Sequence, residues 1–330
     1  MNPRKYDVVT VGLQCIDIVS LPVTADALER ELTLVRSTRM APGGDALNQA
    51  VTLSMLGARV GLMGLVGNDR LGSALTDMLS EYPLDMLDCR ADVNTAVCQV
   101  LVEPGGERHF ISQPESNRLL AYEHIDEDAV RNASFLSVGG CLYLPGLDGE
   151  GMHCLLDLAR RAGTKTALDF RLGGSIPGEA GLRALLSRAD YVLPNEREAE
   201  ALTGESGDPA RMAQCLRDLG AANCIIKLGE RGCYVAAEGF EGLLPACSCR
   251  VKDTTGAGDT FVGAFLYART RGWEIETCAR FANAAASITV EHVGASGAVR
   301  SAEQVLERMQ GESSGMKRPS CAGQDCSGPG

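Results

Sequence analysis

Apolar residues fall into short dense runs separated by stretches of helical spacing. The first run, Tyr6–Gly12 (YDVVTVG), is β-branched and nearly unbroken, the pattern of a strand buried on both faces of a parallel sheet. Extended pieces follow at residues 15–22 and 32–40. Pro42-Gly43-Gly44-Asp45 then breaks the chain before a helix predicted over 46–56 and closed by Gly57. A strand at 60–66 and a helix at 69–79 come next. Runs at 95–103 and 107–112 flank Pro104-Gly105-Gly106, whose turn chemistry predicts a hairpin. Strands at 134–138, 166–170, 191–193 and 224–228 then alternate with helices at 151–161, 196–202 and 209–219. A strand pair at 233–237 and 239–244 precedes helices at 257–270, 275–290 and 302–309. Strands separated by helices imply right-handed crossovers and an α/β fold with a doubly covered, mostly parallel sheet. The two early extended excursions interrupt that order. Residues 311–330, rich in Ser, Gly and Pro without periodicity, read as a disordered tail behind one domain spanning 1–310.

With 330 residues, 45% hydrophobic and 22% charged, the chain can bury a large core. Lys and Arg number 31 against 43 Asp and Glu, a formal charge of -12, so nothing draws nucleic acid or an anionic membrane to the surface at large. No apolar run reaches the ~18 residues of a membrane span. A polyanionic ligand must therefore be held by local devices, and in a chain with only five lysines Lys227 stands out. Thirteen cysteines lie scattered through apolar segments, and Lys5, Tyr6 and Asp7 occupy the place of a secretory apolar core, so a reducing cytoplasm is expected. The cysteines and four histidines match no zinc spacing.

Asp253-Thr254-Thr255-Gly256-Ala257-Gly258-Asp259 runs from a polar turn directly into the apolar helix at 257–270. Unpaired amides of Gly256, Ala257 and Gly258 at a helix start, with the macrodipole behind them, form an anion trap. A carboxylate at its mouth opposes that purpose, unless Asp259 takes the proton of a hydroxyl attacking a bound phosphate. Taken alone, Asp259 also fits a helix cap. The same dipole and amides are expected to lower its pKa.

The run from Asp253 to Phe265 closely resembles the C-terminal signature of the ribokinase (PfkB carbohydrate kinase) family, and the resemblance extends through most of residues 5–310. It implies a three-layer α/β/α fold with a small β-sheet lid built from about 15–40 and 95–112, ATP and Mg²⁺ as cofactors, and phosphorylation of an alcohol group on a sugar. It also implies that Asp259 is the base and that Gly256, Ala257 and Gly258 form the anion hole. Gly43-Gly44-Asp45-Ala46-Leu47-Asn48 is similar to the family's N-terminal signature, which implies that Gly43, Gly44, Asp45 and Asn48 grip substrate hydroxyls. Asp17 resembles the acid that holds two sugar hydroxyls. Asn195-Glu196-Arg197-Glu198 resembles the N-x-x-E motif, with Asn195 near the phosphates and Glu198 acting on Mg²⁺ through water, although the same residues form a capping-box pattern. Lys227, Gly229 and Gly232 look like the nucleotide-binding turn, and Asn283 matches a position bordering adenine. Asp253 and the carbonyl of Thr255 correspond to ligands of a monovalent cation, K⁺, whose remaining ligands would be backbone groups around Val290 to Gly297. Exposed lid edges make a homodimer through the lid an expectation.

Two departures affect the substrate. Asp45 replaces the lysine that usually follows the double glycine, and Gly140 stands where an acid closes the strand. Ribose is therefore in doubt, while Asp169-Phe170-Arg171 resembles a feature of fructokinase-like and 2-keto-3-deoxygluconate-kinase-like members, which implies Arg171 on the substrate side; an acidic substrate would want Arg171 or Arg108 nearby, a neutral sugar or nucleoside neither. A nucleoside kinase and a catalytically silent sugar or nucleotide sensor are the alternatives on this fold. The turn after the first strand, Gly12-Leu13-Gln14-Cys15, lacks the dinucleotide fingerprint.

Overall fold

The computed structural model describes residues 4–87 and 89–315, with backbone alone for 312–315. Among the described residues nine strands form the main sheet, in spatial order Phe240–Leu244, Cys233–Ala237, Asn223–Lys227, Tyr191–Val192, Lys165–Phe170, Ala133–Cys141, Tyr6–Gly12, Val60–Met63 and Asp85–Met86. All but the first two are mutually parallel. Tyr6–Gly12 lies inside this sheet between two parallel neighbours, which is why Val8, Val9 and Val11 are fully buried. From it the chain passes to Val60–Met63 on one side and later to Ala133–Cys141 on the other. That reversal of strand order opens a crevice at the carboxyl ends of the strands.

Helices cover both faces. Asp45–Met55, Arg70–Leu79, Ala257–Thr270, Ile275–Thr289 and Ala302–Gly315 share one core, and Glu127–Arg131, Glu150–Ala162, Glu179–Leu186, Glu196–Thr203 and Pro209–Asp218 share the other. Glu150–Ala162 illustrates the local logic. Met152, Leu155, Leu156 and Ala159 recur at i, i+3, i+4 and i+7 and are buried, Arg160 and Arg161 occupy the last turn, and Gly163 ends the helix in the left-handed conformation. The three-layer α/β/α architecture is thus the one the sequence leads to.

A separate sheet, ordered Ser37–Gly43, Cys15–Leu21, Val97–Val102, Arg108–Gln113, holds the two excursions that break the βα order. Both are strands, as expected, though the extended run at 32–40 starts only at Ser37, behind a 3-10 turn over Ala25–Glu29. Other boundaries differ more. The single strand expected over 60–66 is two, Val60–Met63 in the main sheet and Leu65–Gly67 paired with Cys89–Ala91, because the chain turns at Gly64 against the Gln14 side chain. The last helix continues to Gly315, so 311–315 are helical rather than part of a structureless tail, and 316–330 lie outside the described residues. Short elements at Glu115–Leu119, Glu127–Arg131 and Glu179–Leu186 carried too few apolar repeats to be read.

Candidate active site

Two glycine-rich turns meet at the crevice. The first ends strand Ser37–Gly43 and starts helix Asp45–Met55, with Gly44 as N-cap. The second starts helix Ala257–Thr270 at Gly256, which is left-handed at φ 73°. A Cβ there would lie 1.9 Å from the Ala295 carbonyl oxygen, so only glycine allows the loop after Thr289 to press on this turn. The two helices pack together, Gly263 seating against Thr52 and the Gln49 carbonyl. Their packing brings Asn48 to Asp259: the Asn48 amide donates to Asp259 Oδ2 at 2.8 Å. Asn48 Oδ1 is buried without a partner.

The amides of Gly256 and Gly258 make no hydrogen bond among the described residues. Ala257 N donates to the Thr254 carbonyl at 3.3 Å, so the trap expected from three free amides has two and a long third. The pKa of Asp259 also departs from expectation. Desolvation by the surrounding protein, with the charges of Asp45 and Asp169, pushes its carboxyl well above the usual range, against the pull of Asn48 and Lys227. Burial, with two neighbouring carboxylates added to it, outweighs the helix dipole.

Around this pair lie the remaining candidates for the substrate side. Asp17, on strand Cys15–Leu21, is half-buried beside Gly43, and burial raises its carboxyl while Cys15, Arg171 and Arg108 pull it down. Asp45 accepts from Arg171 Nη1 at 3.1 Å. The Arg171 guanidinium lies over the Tyr143 ring, 5.4 Å from its centroid, with its side chain 50% exposed. Gly140, at φ 90°, holds no acid because a Cβ would meet the Leu13 side chain at 2.4 Å.

Beneath the anion turn runs a buried polar chain that the sequence reading left unassembled. Lys227, at the end of strand Asn223–Lys227, pairs with Asp169 Oδ1 at 2.5 Å; Asp169 Oδ2 accepts from Gln49 at 2.8 Å, and Gln49 Oε1 from Ser137 at 2.7 Å. Burial alone would lower the Lys227 pKa, but the carboxylates of Asp169 and Glu198 reverse that and hold the ammonium charged. Burial drives the Asp169 carboxyl up while Lys227 opposes it. The signal was a solitary lysine in a lysine-poor chain, which needs a carboxylate partner to be buried. Its Nζ stands 3.6 Å from where a Cβ on Gly258 would be, which puts the ammonium against the Gly256–Gly258 turn; of the other two turn residues Gly229 is exposed and Gly232 buried.

Asn195 and Glu198 form the capping box, with Glu198 N donating to Asn195 Oδ1 at 2.9 Å and Asn195 N to Glu198 Oε2 at 2.7 Å. This does not exhaust Glu198. It is 6% exposed, and burial raises its carboxyl to about 7 against the attraction of Lys227. Asn195 bridges to Lys227, while Glu196 pairs with Arg231 of the Gly229–Arg231 turn. Gly232 and Asn283 meet the same backbone: a Cβ on Gly232 would strike the Leu244 carbonyl, and the Asn283 amide donates to the Leu244 and Pro245 carbonyls at 3.3 and 3.1 Å. Asn283 is buried rather than on the helix surface, and its amide is spent on shaping that segment. On the anion turn, Asp253 Oδ1 accepts from Thr255 N at 2.9 Å and Oδ2 from Gly294 N at 2.7 Å, and Arg108 of the lid pairs with the same carboxylate. The lid therefore lies on the Asp259 side of the molecule.

Residues 5–302 match the model of the pfkB family of carbohydrate kinases. The chain belongs to this family. A pfkB relative, the ribokinase of Haemophilus influenzae, is 27% identical over 316 residues, covering 93% of this chain and 99% of its own. Fructokinase-1 of Oryza sativa subsp. japonica is 27% identical over 328 residues, covering 94% and 99%. The structure of Arabidopsis thaliana ribokinase complexed with ribose and ATP superposes with a TM-score of 0.75 at 26% identity, covering 92% of this chain and 99% of that one. This pfkB protein is a carbohydrate kinase, a phosphotransferase with an alcohol group as acceptor.

Proposed function

We propose that this kinase transfers the γ-phosphate of ATP to a hydroxyl of a sugar held between Asp17, Asp45 and Asn48, with Asp259 taking the hydroxyl proton and the Gly256, Ala257 and Gly258 amides receiving the phosphate charge. The observation that carries this reading is the contact of Asn48 with Asp259. One side chain orients the base through its amide and keeps a buried, unpartnered carbonyl oxygen for a hydroxyl donor. Proton transfer and phosphate binding are then set side by side, as an in-line displacement with little covalent work for the protein requires. Lys227, charged and under the turn, adds fixed positive charge on the phosphate side.

Asn195, Gly229, Gly232 and Asn283 frame the nucleotide side of the proposed site, with Asn283 acting through the Leu244–Pro245 backbone. Mg²⁺ fits the charge pattern at Glu198, whose buried carboxyl, raised to about 7, lacks a full counter-charge. A Mg²⁺ ion keeps most of its water and bridges phosphates, so one carboxylate suffices. When bound, the ion would offset the charge of the transferring phosphoryl group. The exposed lid residues Phe110, Ile111 and Met40 suit a homodimer through the lid, to be checked by sedimentation. Cys141, Cys224, Cys233 and Cys278 are buried free thiols, in keeping with a cytoplasmic kinase.

A second reading concerns the acceptor. Arg171 is half-exposed and has one bond, to Asp45, so donors remain for an acidic group, which favours a sugar acid such as a 2-keto-3-deoxygluconate-type substrate. ATP consumption across neutral sugars, sugar acids and nucleosides decides between them. Turnover of a sugar or sugar acid supports the reading, and none with any acceptor would leave a sugar or nucleotide sensor.

A further inference from the structure

Arg108 opens strand Arg108–Gln113, the edge strand of the lid, and its side chain leaves the lid for the anion turn. The guanidinium pairs with Asp253 Oδ2 and donates to Thr255 Oγ1. The Asp253 side chain is 1% exposed and that of Arg108 17%, so this is no loose surface ion pair. Asp253 also accepts the amides of Thr255 and Gly294. One carboxylate thus joins three segments: the turn that leads into Gly256, the loop that presses on Gly256 through Ala295, and the lid.

Asp253 and Thr255 were expected to hold a monovalent cation. The carboxylate, the charged member of that donor set, does not fit one. Both carboxylate oxygens already accept main-chain hydrogens, and a fixed guanidinium touches Oδ2, so a metal cation on the same oxygens would meet a like charge.

We propose that Arg108 is a positioning residue whose guanidinium serves as the cation of Asp253, and that it couples seating of the lid over the substrate to the shape of the anion turn. This rests on the phosphate-binding role assigned above to Gly256 and Gly258. Thr255 directly precedes Gly256, so a guanidinium that fixes both Asp253 and Thr255 sets the direction in which the following amides point. When the lid lifts, the pair breaks, a buried carboxylate loses its counter-charge, and the turn loosens. Phosphate binding and lid closure then favour each other.

The experiment compares wild type with Arg108→Ala and Arg108→Lys in potassium chloride and in tetramethylammonium chloride at equal ionic strength, reading both thermal midpoint and turnover. Wild type should be indifferent to the cation in both readouts. Arg108→Ala should lose about tenfold or more in kcat, gain thermal stability and activity from K⁺ or from millimolar guanidinium, and become more open to proteolysis in the lid. Arg108→Lys, which keeps the charge without the fork, should fall between. Activation of the wild type by K⁺ over tetramethylammonium overturns the proposal while leaving the sugar-kinase reading intact. So does an Arg108→Ala protein that matches wild type, or one that is weakened with no response to added cation. The thermal arm needs no substrate and stays decisive if turnover is not observed, in which case the kinase reading fails separately.

Discussion

The amide of Asn48 and the carboxylate of Asp259 meet at 2.8 Å across 211 positions of sequence. Neither turn makes a site alone. The first supplies a polar helix start, the second a helix start with two unbonded amides and a carboxylate, and the bond holds that carboxylate in one orientation.

Asn48→Ala removes the donor that favours the charged form of Asp259, so the already raised carboxyl should rise further. A hydrogen bond to a charged group contributes about 1.5–3 kcal/mol, so kcat/KM should fall by roughly 10- to 100-fold. The acid limb of the pH–rate profile should move to higher pH. An unmoved limb with the same loss would make Asn48 a substrate ligand only.

The main sheet and both signature turns were legible because each rests on local chemistry: β-branched runs for Tyr6–Gly12, a glycine break before an apolar helix for Asp45–Met55 and Ala257–Thr270. What escaped depends on distance in space. Asp169, Gln49 and Ser137 are ordinary polar residues until the fold buries them around Lys227. Likewise, no spacing could show that Arg108 of the lid reaches Asp253, or that the fold buries Asp259 beside the carboxylates of Asp45 and Asp169 deeply enough to reverse the expected direction of its pKa. Short elements such as Glu115–Leu119 lack the repeats that periodicity needs.

Lys227→Met should leave Asp169 buried without its counter-charge. Breaking a buried pair costs about 3–5 kcal/mol, more than the pair's net worth, because the surviving charge stays desolvated. Urea unfolding should show that loss, and adding Asp169→Asn should recover much of it. A double variant as unstable as Lys227→Met would mean that the lysine stem, rather than its charge, holds the strand end.

Glu198→Gln separates stability from metal use. The Glu198 carboxyl sits at about 7 against an ordinary 4.5 because it is buried, so the folded state holds its proton more tightly than the unfolded chain. Stability from this group is complete below the unfolded value and drains as pH rises through about 7, by on the order of 3 kcal/mol. Gln keeps the capping box and has no such loss. The variant should melt higher than wild type at pH above 7 and similarly in acid, yet need more Mg²⁺ for turnover. Unchanged Mg²⁺ dependence would return Glu198 to capping alone.

Asp259→Asn should abolish most turnover while leaving ATP affinity similar or slightly better. Asn keeps the size and can still accept from Asn48, but it takes no proton, and a positioned base contributes about 10²–10⁴-fold. It also removes a charge that would repel the γ-phosphate at the turn. The raised pKa fixes two pH effects. The wild-type rate should rise with pH as the carboxyl ionises, because only the charged form accepts a proton, and the residual rate of the variant should lose that limb. In stability the sign is opposite: a carboxyl raised on folding stabilises at low pH and loses that contribution as pH climbs through the folded value, so the variant should be the more stable protein at alkaline pH. A gain in melting temperature with a collapse in kcat identifies a carboxylate kept for chemistry at a cost to the fold. Near-wild-type kcat, or ATP binding lost in step with activity, would make Asp259 a structural cap.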